Sequence, residues 1–258
     1  MTYNRLIMFC DYGLDDAIAT LHILKNAHMF NRIDIVPIGG NVSAQTAFRN
    51  AHTLLYHAGA DKNKVRIVDT RAIEQCAADI PDIHGADGIG DILEPAQSDI
   101  PVIDFKAYKA EIQDSALPAR DCVLSVGPCT VPDMLGYVPF CTVLMGGTVD
   151  EPPNYGDYEF NEGCDVAAFK SFAYGATAVA TLDTCHDKGF GFETFTMNDT
   201  LADRLIDKYR DMCNSRNAVV SVYDYVAALA VTNPEKFDVT RIRRKDGVEF
   251  NQLRIKNA

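Results

Sequence analysis

Three carboxylates surround a glycine near the start of the chain. The segment FCDYGLDDAIAT places Asp11, Asp15 and Asp16 directly after RLIMF, an apolar run with the pattern of a buried strand. Carboxylates held within one turn raise each other's pKa unless a cation neutralises them. Hard oxygen ligands, without cysteine or clustered histidine, suit Ca²⁺ or Mg²⁺. The segment therefore indicates a cation site. The alternative is that Asp15 and Asp16 only cap the helix that follows.

Strand and helix patterns alternate along the chain, and they must position these carboxylates. Apolar runs predict strands at Arg5–Cys10, Ile33–Ile38, Val65–Val68, Cys122–Val126, Thr142–Met145 and Ala178–Leu182. Apolar residues at helical spacing predict helices at Asp15–Lys25, Ser43–Ala58, Asp165–Tyr174 and Leu201–Cys213. This alternation is typical of an α/β fold with a mostly parallel, Rossmann-like central sheet and helices on both faces. The last segment, FDVTRIRRKDGVEFNQLRI, instead predicts a small C-terminal β-hairpin that turns at Lys245–Gly247.

Composition limits the class of protein. The chain has 258 residues, 47% of them hydrophobic, and no compositional boundary or repeat, so we expect one domain over residues 1–258. Its formal charge of −12 argues against binding to nucleic acid or an anionic membrane. The eight cysteines form no C-x-x-C pair, which favours buried thiols in a cytoplasmic protein.

Glycine-rich or polar turns follow four of the predicted strands. They are the acidic turn at Asp11, Gly39-Gly40-Asn41, Val126-Gly127-Pro128 and Gly146-Gly147. Ligands of open α/β sheets bind at the carboxyl ends of the strands. All four turns could therefore lie around one crevice.

Eight short motifs extend in order over nearly the whole chain. CDYGLDD is similar to D-x-D-P-G-x-D-D, GGNVSAQTAFRNA to a G-N-x-[ST] loop with its helix, and IHGADGIGD to H-G-x-D-G-[LI]-G. The others are SVGPCTVPDML, VLMGG, EFNEGCDVAAF, LDTCH and VYDYVAALAVTNPEKF. Each motif alone is weak, but the ordered set resembles the nucleoside hydrolases, the inosine-uridine-preferring family.

The resemblance implies hydrolysis of the N-glycosidic bond of a ribonucleoside, giving ribose and a free base. It also implies one Ca²⁺ at the bottom of the crevice, bound by Asp11, Asp16, the Val126 carbonyl and Asp224. Asp11 is expected to act as the general base on a Ca²⁺-bound water. Family members are commonly dimers or tetramers, so the resemblance further implies a homo-oligomer.

The same resemblance assigns residues to the substrate. Ribose hydroxyls would be bound by Asp15 and Asn161, and Glu159 would hold the 5′ side of the sugar. Met145 would pack beneath the ribose. The full substrate set is Asp15, Asn41, Met145, Asn154, Glu159, Asn161 and Asp224. Two further groups lie where a departing base would meet them, and these candidate catalytic residues are His84 and Tyr223.

Several positions depart from the family pattern. Phe9 replaces the first aspartate of the signature, and Tyr12 replaces its proline. Tyr223 replaces a histidine that serves the leaving base as an acid in some members. Pro153 stands where an asparagine is expected, and Asn154 is the candidate substitute. The segment between residues 186 and 223 is also shorter than usual, although it normally supplies base contacts.

These departures leave alternatives open. The first is an active Ca²⁺-dependent nucleoside hydrolase, the second a family member that binds ribose or nucleoside with little or no turnover, and the third an enzyme for another ribosyl compound. Tyrosine gives up its proton less readily than histidine, so we expect activated ribosides to be cleaved faster than inosine or uridine. We interpret His186 as structural and RIRRKDG as a solvated hairpin.

Overall fold

The computed structural model describes residues 2–78, 80–114, 120–187 and 190–256. Across these residues the strands are β1 (Tyr3–Cys10), β2 (Phe30–Pro37), β3 (Val65–Asp69), β4 (Val102–Asp104), β5 (Asp121–Ser125), β6 (Cys141–Met145), β7 (Ala178–Ala180), β8 (Phe237–Arg243) and β9 (Glu249–Ile255). The α-helices are α1 (Leu14–Lys25), α2 (Ala44–His57), α3 (Pro81–His84), α4 (Phe105–Asp114), α5 (Thr130–Met134), α6 (Phe160–Cys164), α7 (Val166–Gly175), α8 (Leu182–Cys185), α9 (Thr200–Ser215) and α10 (Tyr223–Thr232).

The described strands form one mostly parallel sheet, in the order β4-β3-β2-β1-β5-β6-β7-β9-β8. Only the pairing of β8 with β9 is antiparallel, and it forms the predicted C-terminal hairpin at the sheet edge. The predicted fold class and the six predicted strands are confirmed, and each strand end lies within three residues of its predicted position. Strand β4 was not predicted, because its three residues are half-buried or exposed and show no apolar run.

The sequence sets the helix starts through its caps. The Ser43 hydroxyl accepts a hydrogen bond from the Thr46 N–H at 3.2 Å and so caps α2. Asp165 caps α7 in the same way, through the Ala168 N–H at 3.0 Å. Serine and aspartate oxygens replace the missing partners of the first helical N–H groups, and both helices begin within one residue of their predicted starts.

Strand β1 is buried on both faces, as expected of a central parallel strand. Leu6 and Met8 pack in the apolar layer that contains residues of α1 and α10. Ile7 and Phe9 pack in the opposite layer, which contains residues of α4. Phe9 therefore contributes to the core, in place of the carboxylate expected there, while the strand carries Asp11 to its carboxyl end.

The described ranges contain neither a membrane-spanning helix nor a disulfide. Within them, no helix is both long and apolar enough to cross a membrane. The eight cysteines are free thiols, and five of them are buried. Buried cysteines behave mainly as small hydrophobic residues.

Candidate functional site

The polar turns meet at one cavity of about 380 Å³ at the carboxyl ends of the strands. This volume lies within the range of small-molecule sites. Ten of the predicted site residues line it, namely Asp15, Asn41, His84, Val126, Met145, Asn154, Glu159, Asn161, Tyr223 and Asp224. The other two, Asp11 and Asp16, are fully buried and are hydrogen-bonded to Asn41.

Backbone and amide donors hold Asp11 and Asp16 in place. One oxygen of Asp16 accepts from the Asp11 N–H at 3.0 Å, and the other accepts from the Gly13 N–H at 2.8 Å. Asp11 in turn accepts from the backbone N–H of Asn41 at 2.7 Å. The turn that follows β1 is therefore folded around its own carboxylates.

Three carboxylates form a compact group of possible cation ligands. Oxygens of Asp15, Asp16 and Asp224 all lie within 4.8 Å of one another. Oδ1 of Asp15 is buried without a hydrogen-bond partner. The group includes Asp16 and Asp224 from the predicted metal set, whereas Asp15 had been assigned to the sugar. Asp11 lies next to this group through its contact with Asp16.

The electrostatics of this group favour a bound cation. Burial raises the pKa of Asp16 and Asp224 well above the ordinary range, and neighbouring carboxylates raise both further. Burial also raises the pKa of Asp11 to about 7 and that of Asp15 to about 6. No lysine or arginine is among the described residues that line the cavity. The site therefore fits a hard divalent cation, which would supply the missing positive charge.

A glycine makes the close approach to Asp11 possible. A Cβ on Gly40 would overlap Oδ2 of Asp11 and would lie 2.8 Å from Cδ of Pro128. The GGN turn after β2 therefore packs directly against the carboxylate that follows β1.

Helix α6 forms the other wall of the cavity. Oε2 of Glu159 accepts from the Gly147 N–H at 2.8 Å, and burial raises the pKa of Glu159 to about 7. The Asn161 amide donates to the carbonyls of Val126 and Met145, each at 3.3 Å. The turns after β5 and β6 are thereby tied to α6. The Val126 carbonyl, a predicted metal ligand, thus has one hydrogen-bond partner in Asn161.

Asn154 lies at the exposed mouth of the cavity. Its Oδ1 accepts from the Phe160 N–H at 2.9 Å. The side chain therefore orients the start of α6 and borders the site at the same time.

His84 ends the short helix α3, above the acidic turn. Its Nδ1 lies 3.1 Å from the Leu14 N–H and accepts from it, so the ring hydrogen belongs on Nε2. Burial lowers the pKa of His84 to about 4, which favours a neutral ring. Its ring stacks on Tyr209 at 6.4 Å between centroids. These contacts favour a hydrogen-bond donor over a charged acid.

Sequence reasoning missed several lining residues. The segment between residues 186 and 223, although short, supplies Tyr209, Cys213, Ala218 and Val219. His186, interpreted as structural, lines the cavity with its Nε2 3.0 Å from the Tyr223 hydroxyl. Tyr225 is not among the described residues that line the cavity. It instead packs against Phe195 and His22.

The basic hairpin turn is not simply solvated. Two nitrogens of Arg244 lie 2.6 Å from the two oxygens of Glu162, which is fully buried in α6. The interpretation of RIRRKDG as a solvated hairpin is therefore wrong for Arg244. This pair links the edge hairpin to the helix that carries Asn161.

Comparisons with known proteins agree on one family. The family model described as inosine-uridine preferring nucleoside hydrolase matches residues 6–252. "Probable uridine nucleosidase 1" of Oryza sativa subsp. japonica is 27% identical over 128 residues, which span 49% of this chain and 39% of that protein. "Uridine nucleosidase 1" of Arabidopsis thaliana is 28% identical over 133 residues, which span 50% of this chain and 38% of that protein.

A solved structure shares the fold over almost the full length of both chains. The purine-preferring ribonucleoside hydrolase from Gardnerella vaginalis superposes with a TM-score of 0.74 at 18% identity, covering 99% of this chain and 94% of that one.

Proposed function

The chain belongs to the inosine-uridine preferring nucleoside hydrolase family, and we propose that it hydrolyses the N-glycosidic bond of ribonucleosides to ribose and a free base. The observation that carries the proposal is the group of buried carboxylates, Asp15, Asp16 and Asp224, beside a cavity of about 380 Å³. Cleavage of a glycosidic bond gives the sugar oxocarbenium character. Fixed carboxylates stabilise that developing positive charge.

The proposed cofactor is Ca²⁺. Asp11, Asp16, Asp224 and the Val126 carbonyl would hold it, and all four offer the hard oxygen ligands that Ca²⁺ prefers. When bound, Ca²⁺ neutralises the carboxylates, orients hydroxyl ligands and makes a bound water more acidic.

Within this proposal, proton transfer and sugar binding are assigned to side chains of the protein. Asp11 takes a proton from the attacking water as general base. Asp15, whose Oδ1 is buried without a partner, accepts hydrogen bonds from ribose hydroxyls. Asn41 and Asn161 bind the sugar beside it, Glu159 holds its 5′ side and Met145 packs beneath it. Fixing the ribose in this way brings the anomeric carbon within reach of the water.

The relatives differ in the base that their names specify, so they do not indicate one base preference for this chain. The plant relatives are named for uridine, whereas the Gardnerella vaginalis enzyme is described as purine-preferring. The proposal therefore covers purine and pyrimidine ribosides alike.

A second candidate function is binding of ribose or nucleoside without efficient turnover. It is favoured by Phe9, which packs in the apolar core where the family signature has a carboxylate. It is also favoured by Tyr223, which stands where some members have a histidine.

The decisive experiment offers inosine, guanosine, uridine and cytidine to the protein with Ca²⁺ present and measures release of base and reducing sugar. The matching 2′-deoxynucleosides serve as controls, because they lack a hydroxyl for Asp15 to bind. We expect base release from at least one ribonucleoside and little from its deoxy analogue. Calorimetric binding of ribose without release of any base would favour the second function instead.

A further inference from the structure

A chain of hydrogen-bonded side chains leads from the cavity toward solvent. The Tyr223 hydroxyl lies 3.0 Å from Nε2 of His186, and Nδ1 of His186 lies 3.4 Å from Oε2 of Glu151. Tyr223 and His186 both line the cavity, whereas the side chain of Glu151 is 41% exposed. The imidazole therefore connects a hydroxyl inside the site with a carboxylate outside it.

The secondary structure fixes this arrangement. His186 follows α8 directly, and its N–H donates to the Leu182 carbonyl at 2.8 Å. Asp183, in the same helix, accepts hydrogen bonds from three consecutive N–H groups, those of Val149, Asp150 and Glu151. One short helix thus holds His186 and also anchors the loop that carries Glu151. The arrangement is built by the fold and does not depend on a single contact.

We propose that His186 is the positioning residue that supplies the proton of the departing base, through the Tyr223 hydroxyl. The proposal rests on the nucleoside hydrolysis proposed above and names its leaving-group acid.

The step balances as follows. The C–N bond breaks, and its electron pair goes to the base nitrogen. The Tyr223 O–H proton passes to that nitrogen while the Tyr223 oxygen takes the Nε2 proton of the His186 imidazolium. His186 is left neutral with its hydrogen on Nδ1, and Nε2 regains a proton from water after the base has left the cavity. Tyr223 begins and ends the step as a neutral phenol.

Tyr223 cannot serve as the acid by itself. An ordinary phenol gives up its proton only near pH 10, at roughly its unperturbed pKa, so Tyr223 needs a partner that replaces its proton in the same step. Histidine is the side chain that changes charge near neutral pH. The Glu151 carboxylate lies 3.4 Å from Nδ1 of His186.

Among the described residues that line the two clefts beside His186, the other charged groups are all acidic. They are Asp15, Glu159 and Asp224 in the cavity, and Asp187 and Glu193 in the outer cleft that His186 also lines. The remaining titratable groups of these two clefts are His84, Tyr155, Cys185, Tyr209 and Cys213. No lysine or arginine is among the described residues of these two clefts.

The test compares two leaving groups across pH. Inosine needs a proton on its departing base, whereas p-nitrophenyl riboside releases a stable anion and needs none. We expect His186→Gln, which keeps a hydrogen-bonding side chain but cannot titrate, to lower kcat/KM for inosine on the order of 100-fold. The fall of the wild-type rate at alkaline pH should also disappear. The loss on p-nitrophenyl riboside should be much smaller.

Two further variants separate a proton path from a structural role. Tyr223→Phe should cause a similar loss on inosine, and the double variant should lose little more, because both residues act in one path. His28→Gln, at an exposed position outside the site, is the matched control and should keep the wild-type pH profile.

Equal losses on the two ribosides, or an alkaline limb that persists in His186→Gln, would overturn the inference while the proposed function stands. Failure of the wild-type protein to cleave either riboside would contradict the proposed function itself, and the inference with it.

Discussion

Both carboxylate oxygens of Asp11 accept hydrogen bonds from Asn41. The backbone N–H donates to Oδ2 at 2.7 Å, and the side-chain amide lies 3.3 Å from Oδ1. The two residues follow β1 and β2, which pair in parallel with Cys10 opposite Pro37. Because parallel neighbours end at the same edge of the sheet, the register itself brings Asn41 to Asp11.

Replacing Asp11 tests its proposed role as general base. Asp11→Asn keeps the size of the side chain but removes the base and a negative charge, so kcat should fall by about 100-fold or more. The far-UV circular dichroism should stay unchanged. Asp211→Asn, on the exposed side of α9, is the matched control. A variant that retains most of the wild-type rate would remove Asp11 from the mechanism.

The packing of Gly40 against Asp11 gives a steric test. In Gly40→Ala the new methyl group would overlap the Asp11 carboxylate and press on Pro128, so the carboxylate must move and turnover should fall on the order of 100-fold. Gly175→Ala adds the same methyl group where no atom lies within 4 Å, and it should leave kcat unchanged. Similar kinetics for the two variants would show that the position of Asp11 is not critical.

The fold could be predicted from the sequence because the patterns that specify its strands, helices and turns are local. Apolar runs, the caps at Ser43 and Asp165, and the turn at Lys245–Gly247 each depend on a few neighbouring residues. The family resemblance then named the acidic turn and Asp224, which lie far apart in sequence and meet at the cavity.

The features of the fold and the site that were not predicted depend on tertiary contacts, which no local sequence pattern specifies. His186 appeared structural because its partner Tyr223 is 37 residues away and on another helix. Arg244 appeared solvated because Glu162, which it binds, is 82 residues earlier. Strand β4 has no alternation of apolar residues, and only its pairing with β3 defines it.

Removal of the cation tests the metal assignment. Chelation with EDTA should abolish turnover, and added Ca²⁺ should restore it. Titration calorimetry should show Ca²⁺ binding that Asp224→Asn weakens by more than about tenfold, because a charged oxygen ligand is lost. The control is Asp238→Asn in the exposed part of β8. Unchanged Ca²⁺ affinity in Asp224→Asn would contradict the assignment.

His22 should make stability fall in mild acid. It is buried, with Nε2 2.8 Å from the Thr232 hydroxyl, and burial lowers its pKa to about 4 from an ordinary 6.5. Between these values the unfolded chain binds a proton that the folded protein does not, so the free energy of unfolding decreases as pH falls. The contribution is about 3 kcal/mol over this window.

Urea denaturation at pH 6.5 and at pH 4 measures this effect. His22→Gln should lose less stability between the two values than wild type, whereas the exposed His28→Gln should behave like wild type. Equal pH dependence in all three proteins would show that His22 titrates normally in the folded state.

The Arg244–Glu162 pair connects the edge hairpin with the cavity wall and should be important for both stability and binding. Glu162 is fully buried, so Arg244→Gln would leave its charge without its ionic partner, which typically costs about 3–5 kcal/mol. Arg243→Gln is the matched control, because Arg243 is 73% exposed and its ion pair with Glu249 is worth at most about 1 kcal/mol. Since Glu162 follows Asn161 in α6, KM for a nucleoside should also rise in Arg244→Gln and stay constant in Arg243→Gln. Urea denaturation and steady-state kinetics measure both effects, and equal stabilities of the two variants would show that the buried pair does not hold α6 in place.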